Sequence, residues 1–349
     1  MSIRSANYEY VVARVRHRRA SLFSEDDYRK LLGMGLGGIA RFMEESPYQA
    51  EINDLGARYS GVQLIEYALN RNLAREFDDL LRFSEGKLYE LVARYLRKFD
   101  AWNLKTVLRG RNSGATDEEI RENLIDAGEL DAEFFDTLIA APDVEAIVET
   151  IAEETVFGDR LATAVEDYEE SGLLTPLENA IDRAYYEGLF YESTGETGPL
   201  ELYREFLQTE IDFRNVLNGL RIARSGADID PAEYFIEGGQ LFSRAEINSL
   251  VSDTDQLIAH VRDSRYGEDL STAIDALQDE RGVTAFERGL DEALLSYADR
   301  LSHVYPLSVC PVLAYILAKE REVDNIRAIA HGVETGLSRT TIEEELVVL

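Results

Sequence analysis

Apolar residues recur every three or four positions along almost the whole chain. One such stripe comprises Leu64, Ile65, Ala68, Leu69 and Leu73, a spacing that places the side chains on one face of an α-helix. Sustained alternation of apolar and polar residues, which marks a half-buried strand, does not occur, and the chain contains 7 prolines. The pattern predicts an all-α protein.

The helical pattern carries one polar motif three times, at a period of about 110 residues. Each copy has an acid, two variable residues, an asparagine and an aliphatic residue, with a basic side chain six positions after the asparagine. The residues are Asp100, Asn103 and Arg109, then Asp212, Asn215 and Arg221, then Glu322, Asn325 and His331. Gly114, Gly226 and Gly336 follow them. We therefore predict three similar helical repeats, 1–116, 117–229 and 230–349.

Two simpler features share this period. A glutamate recurs as Glu66, Glu178 and Glu287, and an aromatic residue recurs as Tyr48, Phe157 and Tyr266. Thr175 and Thr284 stand three residues before two of these glutamates, which is the spacing of a capping box. We therefore expect those two glutamates to cap their own helices, and the repeated glycines to end helices.

The acid and the asparagine of the repeated motif allow two interpretations. A spacing of three puts them on one helix face, next to the aliphatic residue of the buried stripe. Polar groups in such a position need hydrogen-bond partners. They form either a network that braces the helices, with the nearby basic residues as candidate partners, or the lining of a surface presented to another protein.

The charge balance excludes one class of partner. The chain has 349 residues, with 36 Lys and Arg against 67 Asp and Glu, for a net charge of −31. A nucleic-acid binder needs the opposite sign, because its affinity comes from neutralising phosphates. With 31 Arg and 5 Lys, an acidic and lysine-poor surface is typical of a protein from a halophile, where concentrated salt screens self-repulsion.

The N-terminal segment departs from this acidity. Residues 1–20 contain five arginines and one glutamate. Four of these arginines form a candidate basic docking surface, namely Arg14, Arg16, Arg18 and Arg19. They either face an acidic partner or lipid headgroups, or they pair with the acids of the protein itself.

Motifs for catalysis and cofactors are missing. The glycine-rich segment Gly33–Gly38 follows a predicted helix that starts at Ser24, whereas a nucleotide-binding loop follows a strand, so we interpret it as an inter-helix loop. The single Cys310 excludes an intramolecular disulfide and indicates the cytosol. The histidines lack the spacing of a zinc site. We expect no catalytic residue, cofactor or metal. The longest apolar run is too short for a transmembrane segment.

The N-terminal pattern Tyr8-x-Tyr10-Val11-Val12-Ala13-Arg14-Val15-Arg16, followed by Leu22, Tyr28 and Ser46-Pro47-Tyr48, resembles the C subunits of archaeal-type ATP synthases. These are related to the d subunit of the vacuolar ATPase. The length, the helical pattern and the triplication fit the same family across the chain.

This resemblance implies a funnel of three helical domains around a pseudo-threefold axis. It also implies a non-catalytic rotor subunit, peripheral on the cytoplasmic face of the cell membrane and a monomer within a multi-subunit complex. Its partners would be the central stalk subunits and the membrane proteolipid ring. The family does not supply the nine repeated polar residues as a site, since they come from the repeat alone. The alternative is a soluble helical-repeat scaffold that binds an unrelated protein.

Overall fold

Helices account for the regular secondary structure in the computed structural model of this chain. The structure describes residues 6–193, 199–225, 230–277 and 282–347. It is 75% helical, and those residues contain no strand. The prediction of an all-α protein is confirmed.

The chain divides into two compact units, residues 1–153 with 301–349, and residues 154–300. The first unit contains α1 (Tyr8–Arg19), α2 (Glu25–Leu31), α3 (Leu36–Glu44), α4 (Gln49–Leu55), α5 (Gly61–Phe83), α6 (Lys87–Leu96), α7 (Lys98–Ser113), α8 (Asp117–Glu122), α9 (Ala132–Ala140), α10 (Val144–Glu154), which ends at the boundary, and later α19 and α20. The second unit contains α11 (Gly158–Ser171), α12 (Thr175–Glu192), α13 (Pro199–Ser225), α14 (Pro231–Tyr234), α15 (Arg244–Val251), α16 (Thr254–Arg262), α17 (Ser271–Ala276) and most of α18 (Gly282–Val304). Finally, α19 is Cys310–Glu334 and α20 is Arg339–Glu343. The three-repeat division at 116/117 and 229/230 stays a prediction.

The core of the first unit forms around α19. All its side chains from Cys310 to Leu317 are buried, and the helix packs against both α1 and α5. Helix α5 contributes Leu69 and Phe77 to this core and also packs against α3 and α4. A long helix covered on several sides loses its polar face, so any charged residue within it needs a partner inside the protein.

The core of the second unit forms around α13. This helix packs against α15 and α16, and its Phe213 and Leu220 belong to one buried cluster with Ile247, Leu257 and Phe286. Both cores therefore contain one of the long helices that carry the repeated acid and asparagine.

Some predicted helix ends are confirmed. Gly114 and Gly336 have left-handed backbone angles, with φ of 76° and 72°, which favours glycine at a helix end. After the first of these, Thr116 and Glu119 form a complete capping box at the start of α8. The third predicted C-cap, Gly226, lies outside the described residues.

The two capping boxes predicted for the repeated glutamates are wrong. At α12 the N-cap is Leu174, and no side-chain bond caps the helix. Helix α18 extends back to Gly282, so Thr284 lies inside it and its hydroxyl does not occupy the capping position. In both cases the helix begins earlier than predicted, so the glutamate does not stand at the third helical position that a capping box requires.

The glycine-rich segment follows a helix, as predicted. Ser24 and Asp27 form a capping box that starts α2, and Gly35 precedes α3. Gly37 and Gly38 belong to α3, so the inter-helix loop is shorter than the predicted one.

Candidate functional site

The repeated asparagines share one geometry in all three copies. In each copy the side-chain Nδ2 donates to a backbone carbonyl 21 or 22 residues downstream, at 2.7 or 2.8 Å, and the N–H of that same residue donates to Oδ1 at 2.9 Å. The pairs are Asn103 with Ile125, Asn215 with Ile236, and Asn325 with Val347. We call each pair an amide clamp. It satisfies both backbone groups of a buried residue that lies outside the long helices.

The carboxylate of Asp100 accepts from the backbone a few residues beyond its amide clamp. Its Oδ2 accepts from the N–H of Glu129 at 2.9 Å, and its Oδ1 accepts from the N–H of Leu130 at 3.0 Å. Gly128 makes this approach possible, because a Cβ at that position would lie 1.9 Å from Asp100 Oδ1. The acid therefore fixes the segment that enters α9.

The carboxylate of Asp212 holds the matching segment of the second unit. Its Oδ1 accepts from the N–H groups of Gln240 and Leu241 at 2.7 and 2.8 Å. Gly239 again allows the close approach, since a Cβ there would lie 2.3 Å from Oδ1. The other oxygen, Oδ2, accepts from the hydroxyl of Tyr266 at 2.6 Å.

The third acid, Glu322, meets residues from the start of the chain. Its Oε2 accepts from the N–H of Phe23 at 2.5 Å, and its Oε1 accepts from the hydroxyl of Tyr48 at 2.7 Å. The ammonium of Lys319 donates to the same Oε1 at 2.7 Å and to the Tyr48 oxygen at 2.9 Å. Phe23 directly precedes the N-cap Ser24, much as Leu130 precedes the N-cap Asp131.

Burial changes the pKa values in this network. All three acids and all three asparagines are buried. Loss of hydration raises the pKa of Asp100 to about 6, although its two N–H donors and Arg97 oppose the shift. Burial likewise raises the pKa of Asp212, against the donors Tyr266, Leu241 and Gln240.

The two tyrosines of the network titrate less readily than usual. The pKa of Tyr48 is raised by burial and by the charge of Glu322, and the pKa of Tyr266 is raised by burial and by Asp212. Both hydroxyls therefore stay protonated and donate to a carboxylate. The third member of this aromatic series, Phe157, has no hydroxyl.

The repeated bases lie apart from the acids and asparagines. Arg221 donates to Glu287 at 2.7 Å, and His331 Nε2 lies 2.9 Å from Glu66 Oε1, so two repeated bases meet two repeated glutamates. Arg109 is exposed on α7. The bases are therefore placed on the surface of their long helices, and the structure does not bring these bases together with the buried acids.

The four arginines on α1 occupy different surroundings. Arg18 donates to Glu76 at 2.8 Å and to Asp79 at 2.6 Å, both on α5. Arg14 is exposed and stacks over the ring of Phe83, 4.3 Å from its centroid. Arg16 is exposed, and Arg19 is half-buried. Arg18, a member of the predicted docking surface, therefore pairs with the protein's own acids.

Several members of the network are not evident from the sequence. Lys319 is buried although lysine is usually exposed, and the backbone donors carry no side-chain signal. Tyr48 and Tyr266 stand out only as a repeated aromatic position without a role. The available signal is a pair of glycines, Gly128 and Gly239, each 27 or 28 residues after an acid.

Neither a metal cluster nor a membrane-spanning helix occurs in the part of the chain that the structure describes. Within those ranges, no group of three or more His, Cys, Asp and Glu side chains could hold a metal ion. None of the helices in the same ranges combines the length and the apolar character needed to cross a bilayer.

The same buried acid and asparagine recur on three helices, α7, α13 and α19. The fold is therefore that of an α-helical protein with a repeated internal motif. Comparison with known proteins defines the family: the model of the ATP synthase (C/AC39) subunit matches residues 11–345. The chain therefore belongs to this family, whose members are non-catalytic subunits of the ATP synthase complex.

Its relatives extend over nearly the whole chain. It is 58% identical to the C subunit of the A-type ATP synthase of Haloferax volcanii, over 99% of this chain and 98% of the relative. Identity to the protein of the same name from Haloquadratum walsbyi is 55%, over 99% and 100%. With that of Methanococcoides burtonii it is 36%, over 99% and 95%. The relatives at 55–58% identity come from halophiles, in agreement with the acidic, lysine-poor composition.

Proposed function

We propose that this chain is the rotor adaptor of an A-type ATP synthase, a socket that couples the central stalk to the proteolipid ring. It sits peripherally on the cytoplasmic face of the cell membrane, as one copy within the complex. The observation that carries the proposal is the family membership over residues 11–345, together with relatives that are named as the C subunit of A-type ATP synthases.

The acids and asparagines act in this proposal as internal braces. An adaptor between two rotating parts must transmit torque without yielding between its helices. Buried polar networks in which every group has a partner rigidify a core. The three amide clamps and the three carboxylates each hold a segment outside the long helices, so each long helix and the segments bound to it move together.

The three predicted repeats give this socket its form in the proposal. Three similar units around a pseudo-threefold axis would offer a central concavity to an axial stalk and a rim to a ring of many subunits. The exposed positions of the motif, Arg109, Arg221 and His331, are candidates for the surface that meets the stalk.

Retention in the complex tests this function. A tagged copy of the full chain is added to membranes from which the native subunit has been stripped, and the complex is solubilised and purified by the tag. We expect the ring and the stalk subunits to be retained together in fixed stoichiometry. Recovery of the tagged chain without either of them would contradict the proposal.

A further inference from the structure

An apolar segment is exposed at the end of α18 in the first unit. Residues 303–307 are all exposed, and three of them are large and apolar: Val304 is 64% exposed, Leu307 60% and Tyr305 42%. Pro306 lies between them. In a chain with a net charge of −31, a run of exposed apolar side chains without a carboxylate is unusual and marks an interaction surface.

The backbone of this segment is held in place. The N–H of Tyr305 donates to the carbonyl of Leu301 at 2.8 Å. Ser308 then closes the turn, because its hydroxyl donates to the carbonyl of Tyr305 at 2.7 Å and accepts from the N–H of Cys310 at 3.1 Å. The apolar side chains are therefore presented outward by an ordered turn, so little ordering entropy is lost when they insert into another phase.

Helix α1 begins close to this turn. It packs against α19, and burial together with the nearby Cys310 raises the pKa of Tyr8, in the first turn of α1. Asn7 joins the same end to α5, because its Nδ2 donates to the carbonyl of Phe83 at 2.8 Å and its Oδ1 accepts from the N–H of Glu85 at 2.9 Å. The starts of α1 and α19 and the end of α5 thus meet at one end of the first unit.

The outer face of α1 adds cationic and aromatic groups to this end. Tyr10 and Arg14 are exposed and lie four residues apart, on one face of α1. The guanidinium of Arg14 lies 4.7 Å from the centroid of the Tyr10 ring. Two acids also lie at this end, Glu9, which is exposed, and Glu85, which is half-buried. Aliphatic residues beside tyrosine and arginine are the composition of surfaces that lie at a membrane interface.

We propose that Val304, Tyr305 and Leu307, together with Arg14, form a lipid-contacting surface that inserts shallowly into the headgroup region of an anionic bilayer. We call these four residues the tip surface. A lipid partner fits better than a protein, because a specific protein interface needs about 800 Å² on each side, usually around a pocket, and the apolar part here is three outward side chains on a turn. The inference rests on the proposed function in one respect: the chain must work at a membrane.

The two parts of the tip surface respond differently to salt. At about 1 M salt the screening length falls to about 3 Å, so the attraction between Arg14 and anionic headgroups is lost. Apolar insertion does not depend on charge. In concentrated salt the apolar turn carries the binding, whereas at about 0.1 M salt Arg14 adds to it.

Flotation of the full chain with vesicles of phosphatidylglycerol and phosphatidylcholine tests the proposal. In concentrated KCl we expect the wild-type chain to float with the vesicles. The double variant Val304→Ser/Leu307→Ser should bind at least about tenfold more weakly, because its two aliphatic side chains no longer leave water on insertion. The matched control is Val156→Ser/Leu173→Ser, which removes two apolar side chains that are 73% and 61% exposed in the second unit. This control should bind as the wild type does.

A spectroscopic readout reports the insertion directly. Leu307→Trp in a Trp102→Phe background places the chain's single tryptophan in the turn, and its emission should shift to the blue when vesicles are added. Failure of the wild-type chain to float, or equal losses in the tip variant and the control, would overturn the proposal.

Retention of the ring, measured as above, separates this inference from the proposed function. If the tip variant floats normally but loses the ring, the turn is a protein contact and the lipid proposal is wrong. If the wild type floats through its tip surface but never retains the ring or the stalk, the lipid contact is supported and the rotor adaptor fails.

Discussion

The hydroxyl of Tyr48 donates to the carboxylate of Glu322 at 2.7 Å, across 274 residues of sequence. Tyr266 makes the corresponding bond to Asp212 at 2.6 Å. In both cases a repeated aromatic residue meets a repeated acid. The bond to Glu322 ties α19 to the segment before α4, so the early and late parts of the chain share one buried network.

Removal of the Tyr48 hydroxyl should weaken that network. Tyr48→Phe leaves the buried Lys319 and Glu322 with one partner fewer, so we expect the free energy of unfolding to fall by about 1–3 kcal/mol. Chemical denaturation measures the change. Tyr89→Phe, at an exposed position of the same unit, should stay within about 0.5 kcal/mol of the wild type. Equal losses in the two variants would show that the hydroxyl contributes nothing specific.

The ion pair of Lys319 and Glu322, next to this hydroxyl, should contribute more to stability than the hydroxyl does. Lys319→Met leaves the carboxylate of Glu322 buried without its cation, and removal of one partner of a buried pair costs about 3–5 kcal/mol. Lys30→Met breaks an exposed pair with Asp27 and should cost less than about 1 kcal/mol. A small loss for Lys319→Met, measured by the same unfolding titration, would mean that Tyr48 and Phe23 alone satisfy the acid.

The amide clamps can be tested in the second unit. Asn215→Ala deprives both backbone groups of Ile236 of their partners, so we expect a loss of about 2–3 kcal/mol in unfolding free energy. Asn218, on the same helix, donates one bond to the carbonyl of Tyr234 at 3.2 Å. Asn218→Ala should therefore cost about 1 kcal/mol or less. A reversed order of the two variants would rule out the clamp as a brace.

The all-α fold and the acid-and-asparagine motif were predictable because both are periodic in the sequence. Helical stripes show in any window, and three copies of a motif reveal one another. The partners of the motif were not predictable in the same way. They are backbone groups of residues such as Ile125 and Ile236, in segments without a helical period. Every residue except proline has a backbone N–H group, so the residue type does not indicate which of these groups is the partner.

Other features depended on tertiary contacts that local patterns do not show. Lysine is usually exposed, so the sequence suggests a surface position for Lys319. The side chain is buried because other helices cover α19 on several sides. Glu287 has the spacing of a capping box, but α18 begins at Gly282 and the glutamate pairs with Arg221 instead. The capping signal in the sequence was therefore misleading at α12 and α18, where the helix begins at or before the threonine that was expected to cap it.

Because the pKa of Asp100 is raised, its titration makes the folded state less stable as the pH increases. Its value is raised from 3.8 to about 6, so between about pH 4 and pH 6 the folded state binds more protons than the unfolded state. The contribution of Asp100 to stability is therefore lost as the pH rises through this window, by roughly 3 kcal/mol in total.

Asp100→Asn isolates this contribution. The variant has no proton to release, so its stability relative to the wild type should improve as the pH is raised from about 4 to about 7. Denaturation at several pH values measures the difference between the two proteins, which cancels the titration of other groups. A difference that stays constant with pH would contradict the raised pKa.

Charge reversal on α1 should separate docking from folding. Arg18→Glu repels Glu76 and Asp79, its partners at 2.8 and 2.6 Å, and should lower stability by about 1–3 kcal/mol. Arg14→Glu/Arg16→Glu alters exposed residues and should leave unfolding nearly unchanged, while it weakens attachment to membranes at low salt. Charge reversals of acids in 117–170 serve as the control. If they weaken attachment as much as the α1 variant does, the arginines of α1 have no specific role in docking.

The coupling of the stalk to the ring, which we propose for this chain, can be measured directly. Inverted membrane vesicles stripped of the native chain are supplied with ATP, and the membrane potential is followed before and after the purified chain is added back. We predict that ATP hydrolysis by the head generates little potential without the chain and that pumping returns in proportion to the chain added. Full pumping in the absence of the chain, or no pumping after it is returned to an otherwise intact complex, would contradict the proposed coupling role.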